Sequence, residues 1–162
     1  MSWNESYRLS WADFKGKPNN NVSAVAITAS GITFGFSITQ TDSGKVVKFS
    51  TEVNAHFYPD QSWYKKELAD NHVLGHEQLH FDITELYTRK FRQRISQLRT
   101  SNSIRQELKT LHNNIIKELE TAQNTYDNET DYSRNYEAQA IWKSYIEAEL
   151  KKVSRFKSRE SE

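Results

Sequence analysis

The chain has 162 residues, a length typical of one domain. Its 22 Lys and Arg residues nearly balance 21 Asp and Glu residues, so the net charge of +1 argues against a protein that binds nucleic acid through a basic surplus. Cysteine is absent, which excludes disulfide scaffolds, thiol catalysis and thiolate zinc clusters. No run approaches the roughly 18 to 20 apolar residues that span a bilayer, so we predict no membrane span.

The first third of the chain has the alternating pattern of β-strands. Three runs rich in Val, Ile, Thr and Phe cover residues 22–28, 32–39 and 45–57, and turn-forming residues separate them. We predict that these runs form a small antiparallel meander.

From residue 70 onward the apolar residues follow a helical period, and glycine occurs only once more, at Gly75. A first helix is predicted over about 70–98 and a second over about 103–124, the latter opening on a capping-box spacing at Ser103 to Gln106. Strands followed by helices indicate an α+β protein.

The polar residues 125–133 predict a loop, and a third helix follows over about 134–152. Its apolar residues are expected to be buried, namely Ala138, Ile141, Trp142, Tyr145 and Ile146. We predict a single domain over residues 1–155 and a flexible tail over 156–162.

The first predicted helix contains the motif H-E-x-x-H, at His76-Glu77-Gln78-Leu79-His80. Four residues advance a helix by roughly 400° and about 6 Å, so both imidazoles leave one face and can bind one Zn²⁺. Glu77 lies about 100° further round, beside the metal, where it can take a proton from water as a general base. The alternative is a surface helix whose histidines are merely polar, and the helical context favours the metal site.

A catalytic zinc site needs a third protein ligand and an open position. His72 lies on the same face one turn earlier, but three consecutive turns reach one ion poorly, and we interpret it as a helix-start residue. His56 and His112 are interpreted as structural.

The segment before the third helix offers the missing ligand. It is rich in oxygen donors, and four of its residues are chemically possible ligands, namely Asp127, Glu129, Asp131 and Tyr132. The alternative is a loop whose acids cap the following helix, with Asp131 or Ser133 as the N-cap.

Several segments resemble a bacterial family known as domain of unknown function 922. The resemblance begins at Leu9-Ser10-Trp11-Ala12-Asp13-Phe14-Lys15-Gly16-Lys17-Pro18 and includes the helix segment His76-Glu77-Gln78-Leu79-His80-Phe81-Asp82-Ile83. Shorter matching positions are Ser62-Trp63, Glu85-Leu86-Tyr87, Arg89-Lys90, Tyr126-Asp127, Glu129-Thr130, Asn135, Gln139 and Trp142. Together they span about residues 7–150, and the extended helix motif is far more specific than H-E-x-x-H alone.

Members of that family are described as secreted zinc-dependent proteases by prediction. The resemblance implies a zincin-like metallopeptidase fold, metal on His76 and His80, and Glu77 as the catalytic residue. It also implies a secreted or periplasmic bacterial protein, whereas residues 1–6 lack the pattern of a secretion signal and also allow a cytosolic one. A histidine often stands two residues after the threonine of the family's loop motif, and this chain has Tyr132 there.

The sequence therefore predicts a zinc-dependent metallopeptidase acting on a peptide or protein, with Tyr132 as the first choice for the third ligand. An extended substrate could pair with an edge strand at residues 45–57. One alternative is a non-catalytic binding or structural domain that retains the helix. Another is a hydrolase of a non-peptide amide that uses the same residues.

Overall fold

Two short antiparallel sheets precede three long helices in the structure, a computed structural model that describes residues 1–159. The strands are β1 Ala26–Ile27, β2 Ser30–Gln40, β3 Val46–Phe57 and β4 Trp63–Tyr64. The helices are α1 Asn71–Ser96, α2 Ile104–Glu129 and α3 Tyr136–Lys152. The α+β prediction is confirmed.

The predicted three-stranded meander is wrong. β2 and β3 form a long hairpin, whereas β1 pairs antiparallel with β4, with Ala26 opposite Tyr64. The Ser62 hydroxyl links the two segments, because it accepts from the Ala29 amide at 2.9 Å and donates to the Tyr58 carbonyl at 2.8 Å. A partner strand of two residues is too short to show an alternating pattern, so the sequence did not reveal β4.

The hairpin lays one face on α1 and α2. Alternate β2 residues are half-buried there against a core that includes Phe91 of α1 and Ile115 of α2; they are Ile32, Phe34, Phe36 and Ile38. The His112 ring lies 5.1 Å from the Phe34 ring and 5.9 Å from the Phe91 ring, between centroids. This aromatic environment agrees with the structural interpretation of His112.

α1 and α2 begin next to their predicted starts, but the side-chain caps of α2 and α3 differ from those considered from the sequence. The Asp70 side chain caps α1 by accepting from the Val73 amide at 2.8 Å. Ser103 precedes α2, but its side chain makes no capping bond. Asn135, rather than Asp131 or Ser133, caps α3 by accepting from the Ala138 amide at 3.0 Å.

α2 ends later than predicted, and this difference affects the candidate site. Residues 125–129, predicted as loop, continue the helix to Glu129. The Thr125 hydroxyl satisfies the Thr121 carbonyl at 2.8 Å, and the Tyr126 side chain is completely buried against the other helices. Polar composition alone therefore gave the wrong boundary, because the buried Tyr126 ring packs this polar part of the helix against the core.

α3 packs on α1 through a narrower face than predicted. Ile146 is buried and Trp142 is half-buried, but Ile141 is 64% exposed and Tyr145 is 51% exposed. The buried side of α3 instead includes the polar residue Gln139. That side chain faces the candidate site described below.

The predicted flexible tail makes contacts where the structure describes it. The Ser158 amide and hydroxyl donate to the Glu85 carboxylate at 2.9 and 2.7 Å, and Arg92 donates to the Phe156 carbonyl at 2.7 Å. Residues 160–162 of the predicted tail lie outside the described residues.

None of the helices described in residues 1–159 is both long and apolar enough to cross a membrane.

Candidate metal centre

α1 presents the H-E-x-x-H residues to α2. The rings of His76 and His80 leave α1 one turn apart, and their centroids are 4.9 Å apart with the ring planes nearly perpendicular, at 87°. His76 and Glu77 are buried, and His80 is half-buried. The helix therefore places both imidazoles on one face, as the spacing predicts.

α2 supplies a carboxylate between the two rings. Asp127 Oδ1 lies 2.9 Å from His76 Nε2 and 2.8 Å from His80 Nε2. The ligand atoms of these three residues all lie within 4.8 Å of one another, so the group could hold a metal ion. Within residues 1–159 it is the only group of three or more His, Asp and Glu residues with this spacing.

Two glutamines bind the other ring nitrogens. His76 Nδ1 lies 2.8 Å from Gln139 Oε1, and His80 Nδ1 lies 2.5 Å from Gln123 Oε1. A carbonyl oxygen only accepts, so each Nδ1 carries a proton and donates it. In the neutral ring, Nε2 then bears a lone pair that points toward Asp127.

This arrangement tests whether the residues fit a metal. Two nitrogen lone pairs and a carboxylate oxygen converge on one space, where they repel one another unless a cation or a proton lies between them. Two imidazole nitrogens and one carboxylate oxygen are a known donor set for a catalytic zinc site. The chemistry of the donors therefore fits a divalent transition metal such as Zn²⁺.

The carboxylate and imidazole groups of the site shift one another's pKa values. Burial raises the pKa of Asp127, but its contacts with His76 and His80, which are hydrogen bonds when Nε2 is protonated, outweigh burial and hold that pKa well below its usual range. Burial lowers the pKa of His80, but the Asp127 hydrogen bond and the Glu77 charge outweigh it and raise that pKa above 6.5. A proton on an imidazole is thus the competitor of a metal ion at this site.

Glu77 lines the same cleft as the three residues of the metal group. The Thr28 hydroxyl donates to Glu77 Oε2 at 2.5 Å, and Thr28 follows β1 directly. The cleft has a volume of about 270 Å³, and residues 24–28 line it together with the metal group. Glu77 therefore shares the cleft with the metal group, and Thr28 holds its carboxylate from the β1 side.

The structure places Asp127, and not the predicted Tyr132, between the two histidine rings. Tyr132 lines the cleft, but it is 58% exposed. The residue has a positive φ of 52°, and its backbone amide donates to the Asp127 carbonyl. Glu129 accepts from Trp142 and Asp131 pairs with Arg134. The geometry favours Asp127 over all three other candidates.

The predicted loop over residues 125–133 concealed the position of Asp127, which lies on α2. On a helix, Gln123 and Asp127 have the same four-residue spacing as His76 and His80, so the two pairs face each other across α1 and α2. That spacing was the available signal. No sequence signal singled out Thr28.

Tyr126 forms the inner wall of the site. Its ring stacks on His76 at 4.5 Å and 19°, and meets His80 edge-on at 4.8 Å and 72°. Its hydroxyl contacts Gln139 Oε1 at 2.9 Å and the His76 carbonyl at 3.0 Å. Burial raises the pKa of Tyr126, so the phenol stays protonated and serves as a donor.

The other histidines lie outside the metal group. His72 Nε2 lies 2.6 Å from the Ser133 carbonyl, and its ring stacks on Tyr136 at 3.6 Å. His56 lies in β3, opposite Gly31. Both positions agree with their interpretation as structural residues.

Residues 7–135 match a family described as a bacterial protein of unknown function, DUF922. The chain belongs to this family. The match includes His76, His80 and Asp127 and ends just before α3, and the family's description states no activity. No curated protein and no solved structure matches the chain.

Proposed function

We propose that this DUF922 protein is a zinc-dependent metallopeptidase with a zincin-like site. The observation that carries the proposal is the convergence of His76 Nε2, His80 Nε2 and Asp127 Oδ1 in the cleft that also contains Glu77. His76, His80 and Asp127 would hold the metal. The exported location implied by the family resemblance remains a prediction.

Zinc suits these ligands because it accepts imidazole and carboxylate donors and leaves a position open in catalytic sites. When bound, it supplies Lewis-acid polarisation of the substrate carbonyl and lowers the pKa of water. The protein's own residues then have to move protons and hold the peptide.

Glu77 is the residue that moves the proton. Its carboxylate faces the cleft while the Thr28 hydroxyl holds one oxygen, so little reorientation is needed on catalysis. It accepts a proton from water as the water oxygen bonds to the carbonyl carbon. It then returns that proton to the amide nitrogen as the C–N bond breaks.

The substrate would lie along β1 rather than along residues 45–57. β3 already pairs with β2, and near its end it also bonds to the N-terminal residues, where Trp3 donates to the Ala55 carbonyl at 3.0 Å. β1 pairs with β4 alone, and its segment forms a wall of the cleft. Its other edge therefore suits an extended peptide that forms backbone hydrogen bonds.

A second candidate is a non-catalytic domain in which the metal stabilises the fold. One observation favours it: the ligands come from both α1 and α2, so a bound ion would cross-link the two helices. Stoichiometric zinc without any hydrolysis that depends on Glu77 would select this alternative.

The test is hydrolysis of a peptide library by zinc-loaded protein before and after Glu77→Gln. General-base catalysis contributes roughly 10² to 10⁴-fold, so we expect a loss of that size in kcat/KM with little change in zinc content. Glu137→Gln is the matched control, because Glu137 is exposed at the start of α3. The absence of hydrolysis by the parent protein, or equal activity of Glu77→Gln, would contradict the proposal.

A further inference from the structure

We infer that Gln123 and Gln139 are positioning residues that fix the two ligand imidazoles with Nδ1 protonated and Nε2 directed at Asp127. The inference deepens the proposed metal centre and rests on it for its role in zinc binding. The hydrogen-bond geometry itself can be tested without metal.

Gln139 reaches the site from α3. It is only 8% exposed, and its Oε1 lies 2.8 Å from His76 Nδ1 and 2.9 Å from the Tyr126 hydroxyl. The structure directs the amide oxygen, and not the amide nitrogen, at His76 Nδ1 and at the phenol. An amide oxygen only accepts, so His76 Nδ1 is the donor in this contact.

Gln123 is held on α2 by both ends of its amide. Its Nε2 donates to the His80 carbonyl at 2.9 Å and to the Thr84 hydroxyl at 3.2 Å. The backbone carbonyl only accepts, so this nitrogen assignment is fixed and Oε1 must be the atom that faces His80 Nδ1. Gln123 thus recognises both the ring and the backbone of one ligand residue.

The two glutamine contacts restrict the orientations of the His76 and His80 rings. A half-turn of either ring about its Cβ–Cγ bond would replace Nδ1 and Nε2 by ring carbons, losing both the glutamine and the Asp127 contacts. Tyr126 further limits the planes, because it stacks on His76 and meets His80 edge-on. The rings are therefore oriented for a metal before one binds, which lowers the ordering cost of binding.

A neutral acceptor distinguishes this site from one in which carboxylates orient the histidines. Asp127 and Glu77 already bring two carboxylates to the cleft. An amide oxygen orients each ring without adding a third or fourth negative charge. The acceptor oxygen is the functional atom, so Gln→Glu should preserve orientation, whereas Gln→Met keeps the length of the side chain and removes the acceptor.

The first experiment measures zinc affinity by competition with a chelator. Removing the hydrogen-bond partner of a metal-binding histidine typically weakens metal binding about 10 to 100-fold. We expect a loss of that size for Gln123→Met and for Gln139→Met. Gln139→Glu should restore affinity to near that of the parent. Gln106→Met is the control, because Gln106 is an exposed residue of α2 whose side chain contacts Thr110.

The second experiment uses ¹⁵N NMR of the imidazoles in metal-free protein. We expect Nδ1 of both His76 and His80 to carry a proton, and the Met variants to show a ring population without it. A bare Nδ1 in the parent protein would overturn the inference, as would Met variants that bind zinc within twofold of the parent. If the parent binds no zinc, the metal centre is refuted and the NMR result alone decides the inference.

A Met variant that fails to fold leaves both tests usable. The NMR measurement on the parent protein does not depend on any variant, and Gln139→Glu changes only one group of the side chain. Thermal unfolding of the metal-free variants identifies a folding defect, which would lower the unfolding temperature without zinc.

Discussion

The choice between Asp127 and Tyr132 as third ligand is a question about single side chains. Asp127 Oδ1 lies within 2.9 Å of both ligand nitrogens, so Asp127→Asn removes the charge that faces the metal. We expect zinc affinity to fall by more than about 100-fold, which exceeds the loss typical of residues that only bind a metal ligand by a hydrogen bond. Tyr132→Phe should leave affinity unchanged, and chelator competition measures both; the opposite ranking would identify Tyr132 as the ligand.

The pH dependence of metal binding follows from the same side chains. Zinc requires unprotonated Nε2 atoms, so protons compete with it and affinity should fall as the pH is lowered. Because the contacts with Asp127 and Glu77 raise the pKa of His80, this decline should begin above the ordinary imidazole value of 6.5. Measuring the zinc affinity at a series of pH values tests this decline. An affinity that stays constant through that range would show that the imidazoles are not the ligands.

At the scale of elements, the sequence was informative wherever a pattern is long. The alternating β2 residues and the H-E-x-x-H helix were predicted close to their observed bounds, because period and spacing are local properties. The pairing of β1 with β4 was missed because Ala26 pairs with Tyr64, 38 positions further along the chain, and each strand is only two residues long. Long-range pairing of such short strands leaves no local pattern.

The candidate site likewise has one part that the sequence could predict and one part that it could not. His76, Glu77 and His80 come from one helix and could be read from their spacing. Asp127, Gln123 and Gln139 come from α2 and α3, and their positions depend on how these helices pack on α1. A polar stretch that continues a helix because of one buried tyrosine cannot be distinguished from a loop by composition.

The contact between α1 and the C-terminal segment gives a prediction about stability. Glu85 and Arg89 form a buried pair at 2.9 Å, and Glu85 also accepts from Ser158. Glu85→Ala leaves Arg89 buried without this partner, so we expect a loss of about 3 to 5 kcal/mol in the free energy of unfolding. Urea denaturation measures it.

The matched control for Glu85→Ala is Glu118→Ala. Glu118 pairs with Arg94 at the surface, where both side chains are at least one-third exposed, at 46% and 34%. Exposed pairs contribute about 0 to 1 kcal/mol, so the control should have a small effect. Equal losses in the two variants would contradict a special role for the buried pair.

At the scale of the whole molecule, the proposed metal centre connects all three helices. Its candidate ligands lie on α1 and α2, and Gln139 adds α3. A ligand that binds only the folded state stabilises it by about 2.7 kcal/mol when its concentration is 100 times Kd. We expect zinc to raise the unfolding temperature accordingly, and a chelator to reverse the change. A rise of the same size in His76→Ala would show that zinc acts elsewhere.

The most direct test of the metal centre is a crystal structure of the zinc-loaded protein. We predict one ion with His76 Nε2 and His80 Nε2 at about 2.0 to 2.1 Å and an Asp127 carboxylate oxygen at about 2.0 to 2.2 Å. Gln123 and Gln139 should remain on the Nδ1 atoms. An ion bound by Tyr132 in place of Asp127, or zinc bound away from both histidines, would contradict the account.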